Sequence, residues 1–336
     1  MKLNMKQWIA DTINTPVKKA MPVLSFPAIQ LMDITVKDLI SSSDLQARGM
    51  QLVAENTDAA ASVSLMDLSV EAECFGSTIR VSDEEVPTVI GSVVSSEEEA
   101  DALEIPEIGS GRTGLYIEAI EKASKLITDR PVLAGAIGPF SLAGRLMDVS
   151  EAMIYCYEEP DMVHTVLEKV TRFIINYCTE YKRAGANGIV LAEPLAGLLS
   201  PALAEEFSAD YVKQIVDAVQ DDEFIIVYHN CGNCTIQQIN SIIATGCPLL
   251  HFGNAISMAE MMPHIPAHIA AAGNVDPASQ FRNGTVESIK KETKAVMEAC
   301  CKYPNFVISS GCDIPPLSKW ENIHAFFEAV NEFYVN

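Results

Sequence analysis

Residues 224–234 read FIIVYHNCGNC. An apolar, β-prone run from Phe224 to His229 breaks off at once into Asn230, Cys231, Gly232, Asn233 and Cys234, the pattern of a buried strand that ends in a polar loop. The same form repeats on both sides. Upstream, Gly188 to Ala192 ends in Glu193-Pro194, and Val132 to Ala136 runs toward Gly138-Pro139. Downstream come Leu249 to Phe252, Ile269 to Gly273 and Phe306 to Ser310. The runs recur roughly every 20 to 40 residues with helical segments between them, the sequence form of βα units on a parallel sheet. Met21 to Phe26 and Ala61 to Leu65 bring the number of strands to eight, which closes a barrel. The expectation is an α/β protein, one (β/α)8 TIM barrel domain over residues 1–336, with an N-terminal helix.

Helix ends are marked as well. Thr235-x-x-Gln238, Ser257-x-x-Glu260 and Ser318-x-x-Glu321 have capping-box form, and Gly185 and Gly246 stand where helices should stop. Ile323, Phe326, Phe327, Val330, Phe333 and Tyr334 give the last helix one apolar face. Residues 76–110 interrupt the pattern: GSTIRV and PTVIGSVV read as a small hairpin inserted after the second strand, and the acidic run that follows reads as a solvated helix start.

Composition narrows the functional classes. Apolar residues make up 49% of the chain, yet no stretch approaches the ~18 to 20 uninterrupted apolar residues of a membrane helix. The N-terminus lacks the apolar segment and cleavage site of a signal peptide, so a soluble, cytoplasmic enzyme is expected. The net charge of -22, from 45 acidic against 23 basic residues, argues against a nucleic-acid surface, which needs clustered Lys and Arg. The nine cysteines follow no disulfide framework and read as reduced thiols. Such a thiol load suits an anaerobic host.

In a barrel of this kind, function sits at the C-terminal ends of the strands. His229 and Cys231 are two apart at one such end, so an extended chain turns both side chains to the same face. Cys312 follows the last strand. One imidazole and two thiolates suit zinc, and three protein ligands leave a position for substrate. The residues alone also fit a hydrogen-bonded core histidine among small buried thiols, and at this level both readings stand. Cys234, directly followed by the cap at Thr235, is a second choice as ligand. With zinc, the chemistry would be thiol activation and alkyl transfer to sulfur. Zinc-hydroxide hydrolysis is the competing use of an open site, weakened because two thiolates make the ion a poorer Lewis acid.

AGANGIVLAEP at 184–194, YHNCGN at 228–233, GNVDP at 273–277 and SSGCDIPP at 309–316, with GAIGPFSLAG at 135–144, resemble the uroporphyrinogen decarboxylase superfamily. Within it the chain looks most like the methylcobamide:coenzyme M methyltransferases. That resemblance implies a zinc enzyme whose H-x-C and distant Cys carry over onto His229, Cys231 and Cys312. It implies methyl transfer from a methylated corrinoid to a zinc-activated thiol such as coenzyme M, with no separate protein nucleophile. No D-x-H-x-x-G corrinoid segment is present, so the methylcobalamin-type donor is expected on a separate corrinoid protein. The true decarboxylases grip a tetrapyrrole with an Arg-rich N-terminal segment. Here the matching region reads PVLSFPAIQLMDITVKD, without arginine.

Glu193 and Asp67 are candidates to orient a thiol substrate or to hydrogen-bond His229 from behind. Asn274 and Asp276 are candidate substrate neighbours, although turn hydrogen bonds account for them at least as well. His164 and His251 read as structural. A demethylating methyltransferase, moving methyl from an O-methyl or related donor onto a corrinoid protein, is the alternative function. A decarboxylase-type lyase and a non-catalytic ligand-binding barrel rank below it.

Overall fold

A computed structural model describes residues 3–335 of the chain. Nine strands occur among them: β1 (Ser62–Val63), β2 (Thr78–Arg80), β3 (Thr88–Ile90), β4 (Val132–Ile137), β5 (Gly188–Ala192), β6 (Ile225–Asn230), β7 (Leu249–Phe252), β8 (Ala270–Val275) and β9 (Phe306–Ser310). Seven of them form one curled, TIM-barrel-like sheet in the order β1-β4-β5-β6-β7-β8-β9, parallel throughout. β2 and β3 form a separate antiparallel ribbon, with Thr78 opposite Ile90.

Two cores follow from strand alternation, because successive side chains face opposite sides of the sheet. Ile225 and Val227 face a lumen cluster with Val63, Leu133, Val190, Leu249, Ala270, Ala272 and Val307. Ile226 and Tyr228, one residue out of phase, join the larger cluster under the helices. The helix Met5–Asn14, capped by the Asn4 side chain on the Gln7 amide, adds Met5 and Ile9 to the lumen cluster. The amide of Met5 is tied to the carbonyl of Asp222, just before β6, at 2.7 Å.

The eighth expected strand, Met21 to Phe26, forms no regular ladder. Pro22 supplies no amide donor, and its neighbours bond irregularly. Met21 N donates to Ile308 O at 3.0 Å, Ala60 N donates to Ala20 O at 2.8 Å, and Val23 N is taken by the Ser310 hydroxyl at 3.0 Å. The segment thus bridges β9 and the chain entering β1 through mixed bonds, side chains standing in for the missing ladder. The second strand also shrinks, to Ser62–Val63.

Helix ends follow the sequence signals in part. Gly185 and Gly246, with φ of 100° and 83°, lie just past Pro160–Arg183 and Ile239–Ala244, in the left-handed region where a side chain costs energy. Ser257 caps Met258–Met261. Thr235 and Gln238 form no capping box: Gln238 Nε2 donates instead to Ala196 O and Leu199 O, at 2.8 Å each. It thereby clasps the loop after β5 to the loop after β6, and the helix begins only at Ile239. No helix among the described residues is long and apolar enough to cross a membrane.

Candidate metal centre

β6 carries its register through to the site. His229, two residues beyond the lumen-facing Val227, is 4% exposed. At the end of the strand, Asn230 Oδ1 accepts from the Gly232 amide at 2.9 Å and its Nδ2 donates to the Tyr228 hydroxyl at 3.0 Å, which pins the turn that carries Cys231. Gly253, directly after β7, lies against that turn. A Cβ on it would come within 2.4 Å of the Cys231 Cβ, so glycine is required for the cysteine to sit where it does. Cys312 arrives two residues past β9, its chain held by Gly311 N on Val275 O at 2.7 Å.

These two chain segments bring His229, Cys231 and Cys312 together, with one ligand atom of each lying within 4.8 Å of the others. His229 Nε2 and Cys312 Sγ are 3.5 Å apart. With metal bonds of about 2.05 Å to nitrogen and 2.3 Å to sulfur, a tetrahedral zinc would span an edge of about 3.5 Å, so this part of the donor set fits the ion. The electrostatics fit as well. The hydrogen bond from Cys312 holds the Cys231 thiol well below its ordinary range against desolvation. The same bond and burial push Cys312 up. Of the two, Cys231 is the thiol that ionises more readily, and the thiolate is the form in which cysteine binds metals.

Behind His229 stands a residue that the sequence reading set aside as structural. His251, paired with His229 across β6 and β7, is 1% exposed, and the two Nδ1 atoms are 2.7 Å apart. The Nε2 of His251 lies 2.8 Å from Ser309 Oγ on β9, and that hydroxyl donates to Met21 O at 2.7 Å. Burial, then the neighbouring His229, pushes His251 well below its ordinary range. Strand alternation was the available signal: in Leu-Leu-His-Phe, His251 shares the inward phase of Leu249, as Ser309 shares that of Val307.

The acidic candidates serve other groups. Both oxygens of Glu193 are engaged, Oε1 by the Phe140 amide at 2.7 Å and the Ser208 hydroxyl at 3.0 Å, Oε2 by the Ser141 amide at 2.8 Å. This carboxylate therefore caps the helix Pro139–Met147 and makes no bond to the His229 ring. Burial raises its pKa against those donors. Asp67 is likewise spent. Its Oδ2 meets Arg112 Nη1 at 2.5 Å and Tyr116 Oη at 2.8 Å, and its Oδ1 accepts from the amide and hydroxyl of Ser69. Asn274 donates to Gly253 O and Ile256 O, holding the loop after β7. Asp276 caps the next turn through the amides of Ala278 and Ser279. Cys234 lies outside the cluster, beside Asn233 Oδ1 at 3.4 Å. His164 pairs with Tyr211 and Glu206 on the outer helices.

Comparison with known proteins bears on this arrangement. Methylcobamide:CoM methyltransferase MtbA of Methanosarcina acetivorans is 28% identical over 272 residues, covering 80% of this chain and 78% of that protein. Uroporphyrinogen decarboxylase of Coxiella burnetii is 26% identical over 288 residues, covering 82% and 78%. Among solved structures, a methyltransferase from Methanosarcina mazei superposes with a TM-score of 0.86 at 24% identity, covering 99% of each chain, which extends the likeness of fold to the whole molecule. The family model for uroporphyrinogen decarboxylase (URO-D) matches residues 11–333, and the chain therefore belongs to the uroporphyrinogen decarboxylase family.

Proposed function

We propose that this protein is a zinc-dependent methyltransferase that moves a methyl group from a methylated corrinoid, carried by a separate corrinoid protein, to a small thiol such as coenzyme M. The observation that carries the reading is the convergence of His229, Cys231 and Cys312 at the strand ends, in a chain 28% identical to a methylcobamide:CoM methyltransferase. These three residues would hold the ion. When bound, zinc would lower the pKa of an added thiol and leave its sulfur nucleophilic near neutral pH.

The chain's own groups do the rest. His229 contributes a ring nitrogen, and Cys231 and Cys312 contribute the sulfurs. The thiolate of the substrate forms the new S–CH3 bond as the Co–CH3 bond of the donor breaks. The electron pair of that bond stays on cobalt, and the thiol's proton leaves to solvent. No protein nucleophile is needed.

Decarboxylation, the namesake reaction of the family, suits these residues poorly. A cavity of about 380 Å³ beside the Cys312 segment is lined by the exposed Glu84 and Glu85 with Arg282 as its one cation. A polycarboxylate tetrapyrrole would meet repulsion there.

The test is metal content together with methyl transfer from free methylcobalamin to 2-mercaptoethanesulfonate, in the wild type and in Cys312→Ala. About one zinc per chain and a loss of at least ~100-fold in transfer by the variant support the reading. Zinc without transfer to that thiol would direct the search to other acceptors, and a wild type without zinc would overturn it.

A further inference from the structure

We propose that His251 and Ser309 are positioning residues that set which nitrogen of His229 is free to bind a metal. The inference rests on the metal reading above and deepens it.

The argument is proton bookkeeping along one chain of bonds. The carbonyl of Met21 can only accept, so the single proton of Ser309 Oγ is committed to it at 2.7 Å. Ser309 must then accept from His251 Nε2, 2.8 Å away, which makes that nitrogen an N–H. An uncharged imidazole has only one N–H, so His251 Nδ1 carries a lone pair and accepts from His229 Nδ1 at 2.7 Å. His229 Nε2 is left without a proton, and it is this atom that faces Cys312 Sγ. Reverse any link and Nε2 becomes a donor, which cannot ligate. The carbonyl of one irregular segment thereby selects the tautomer of a ligand three bonds away.

The fold shows the cost of this arrangement. His251 and Ser309 occupy inward positions of β7 and β9 beside a cluster of apolar lumen side chains, where Leu and Ala would pack without desolvation. The bond between them crosses over β8, whose residue in register with His251 is Ala272, small enough to leave the path open. The partner chosen is also uncharged. A carboxylate behind His229 would add a negative charge to a site that already holds two cysteines. An imidazole orients the ring without that charge and leaves the site more receptive to an anionic sulfur.

Three full-length variants test the role: His251→Leu removes the acceptor, His251→Gln keeps one in its amide oxygen, and Ser309→Ala removes the group that orients His251. Zinc affinity is read by chelator competition, and the state of His229 by 15N-histidine NMR of the metal-free protein. The expected result is an affinity about 10- to 100-fold lower in His251→Leu, a smaller loss in Ser309→Ala and substantial rescue in His251→Gln. The wild-type spectrum should show His229 protonated at Nδ1 alone. A merely structural histidine would not produce rescue by glutamine together with a single tautomer. Wild-type affinity in His251→Leu, or a wild-type His229 protonated at Nε2, would overturn the proposal. If His251→Leu does not fold, Ser309→Ala and the wild-type spectrum still decide it. A wild type that binds no zinc would instead remove the functional reading, and the spectrum alone would then decide the tautomer.

Discussion

The two arcs of the barrel mouth use polar strand ends in opposite ways. On the arc from β6 to β9, His229, Cys231 and Cys312 turn one nitrogen and two sulfurs toward each other, and their partners lie behind them, in His251 and Ser309. On the arc from β1 to β5, the acids Asp67 and Glu193 have every oxygen occupied by protein donors. The first arc is rigid and chemically open; the second is rigid and closed. A charged residue at a strand end is therefore a functional candidate only if its hydrogen-bonding capacity is unspent, and the carboxylates here work as internal caps and ion-pair partners.

The largest effect expected from this contrast is on stability alone. Asp67→Ala leaves the Arg112 guanidinium, whose side chain is only 12% exposed, beside Glu73 but without its buried partner, and strips the Tyr116 hydroxyl of its acceptor. Breaking a buried pair in this way costs about 4 kcal/mol. Urea unfolding should show it, while the folded fraction should still take up zinc at the proposed site. Loss of zinc at undiminished stability would dissolve the distinction between the arcs. Glu193→Ala should come next, at about 3 kcal/mol, because it orphans two buried amides and the Ser208 hydroxyl together. Its folded fraction should again bind metal with unchanged affinity.

What could be read from the chain follows the same division. The strand runs were legible because seven apolar segments lie in a parallel sheet, where burial on both faces leaves a continuous signature. Met21 to Phe26 has that signature too, but Pro22 removes the donor that a ladder needs, and the bonds that replace it come from Ser309 and Ser310, nearly the whole chain away. The H-x-C pair was legible because His229 lies at the end of β6 and Cys231 in the turn directly after it. The partner of His229 was harder to see, since a carboxylate is the usual support for a ligand histidine and here an imidazole in the next strand takes that place. The fates of Glu193 and Gln238 depend on helix ends and loops that only folding brings near, and no local pattern encodes them.

One acid on the closed arc is not fully spent, and it offers the smallest and most discriminating test. Glu71, at the start of the helix Val70–Cys74, accepts from the Ile137 amide through Oε1 at 3.1 Å, while its buried Oε2 has no partner. Desolvation raises its pKa to about 7, with the nearby charge of Asp67 adding to the rise and the Ile137 amide opposing it. A carboxyl whose folded pKa lies above its unfolded value stabilises the fold most fully below about pH 4.5, and that contribution is lost as the pH rises through about 7. Glutamine keeps the acceptor for Ile137 and carries no charge at any pH. Glu71→Gln should therefore match the wild type near pH 4.5 and exceed it by about 3 kcal/mol at pH 8, read by urea unfolding at the two pH values. A variant no more stable than the wild type at pH 8 would mean that Oε2 has a partner when ionised, and that this acid too belongs with the spent ones.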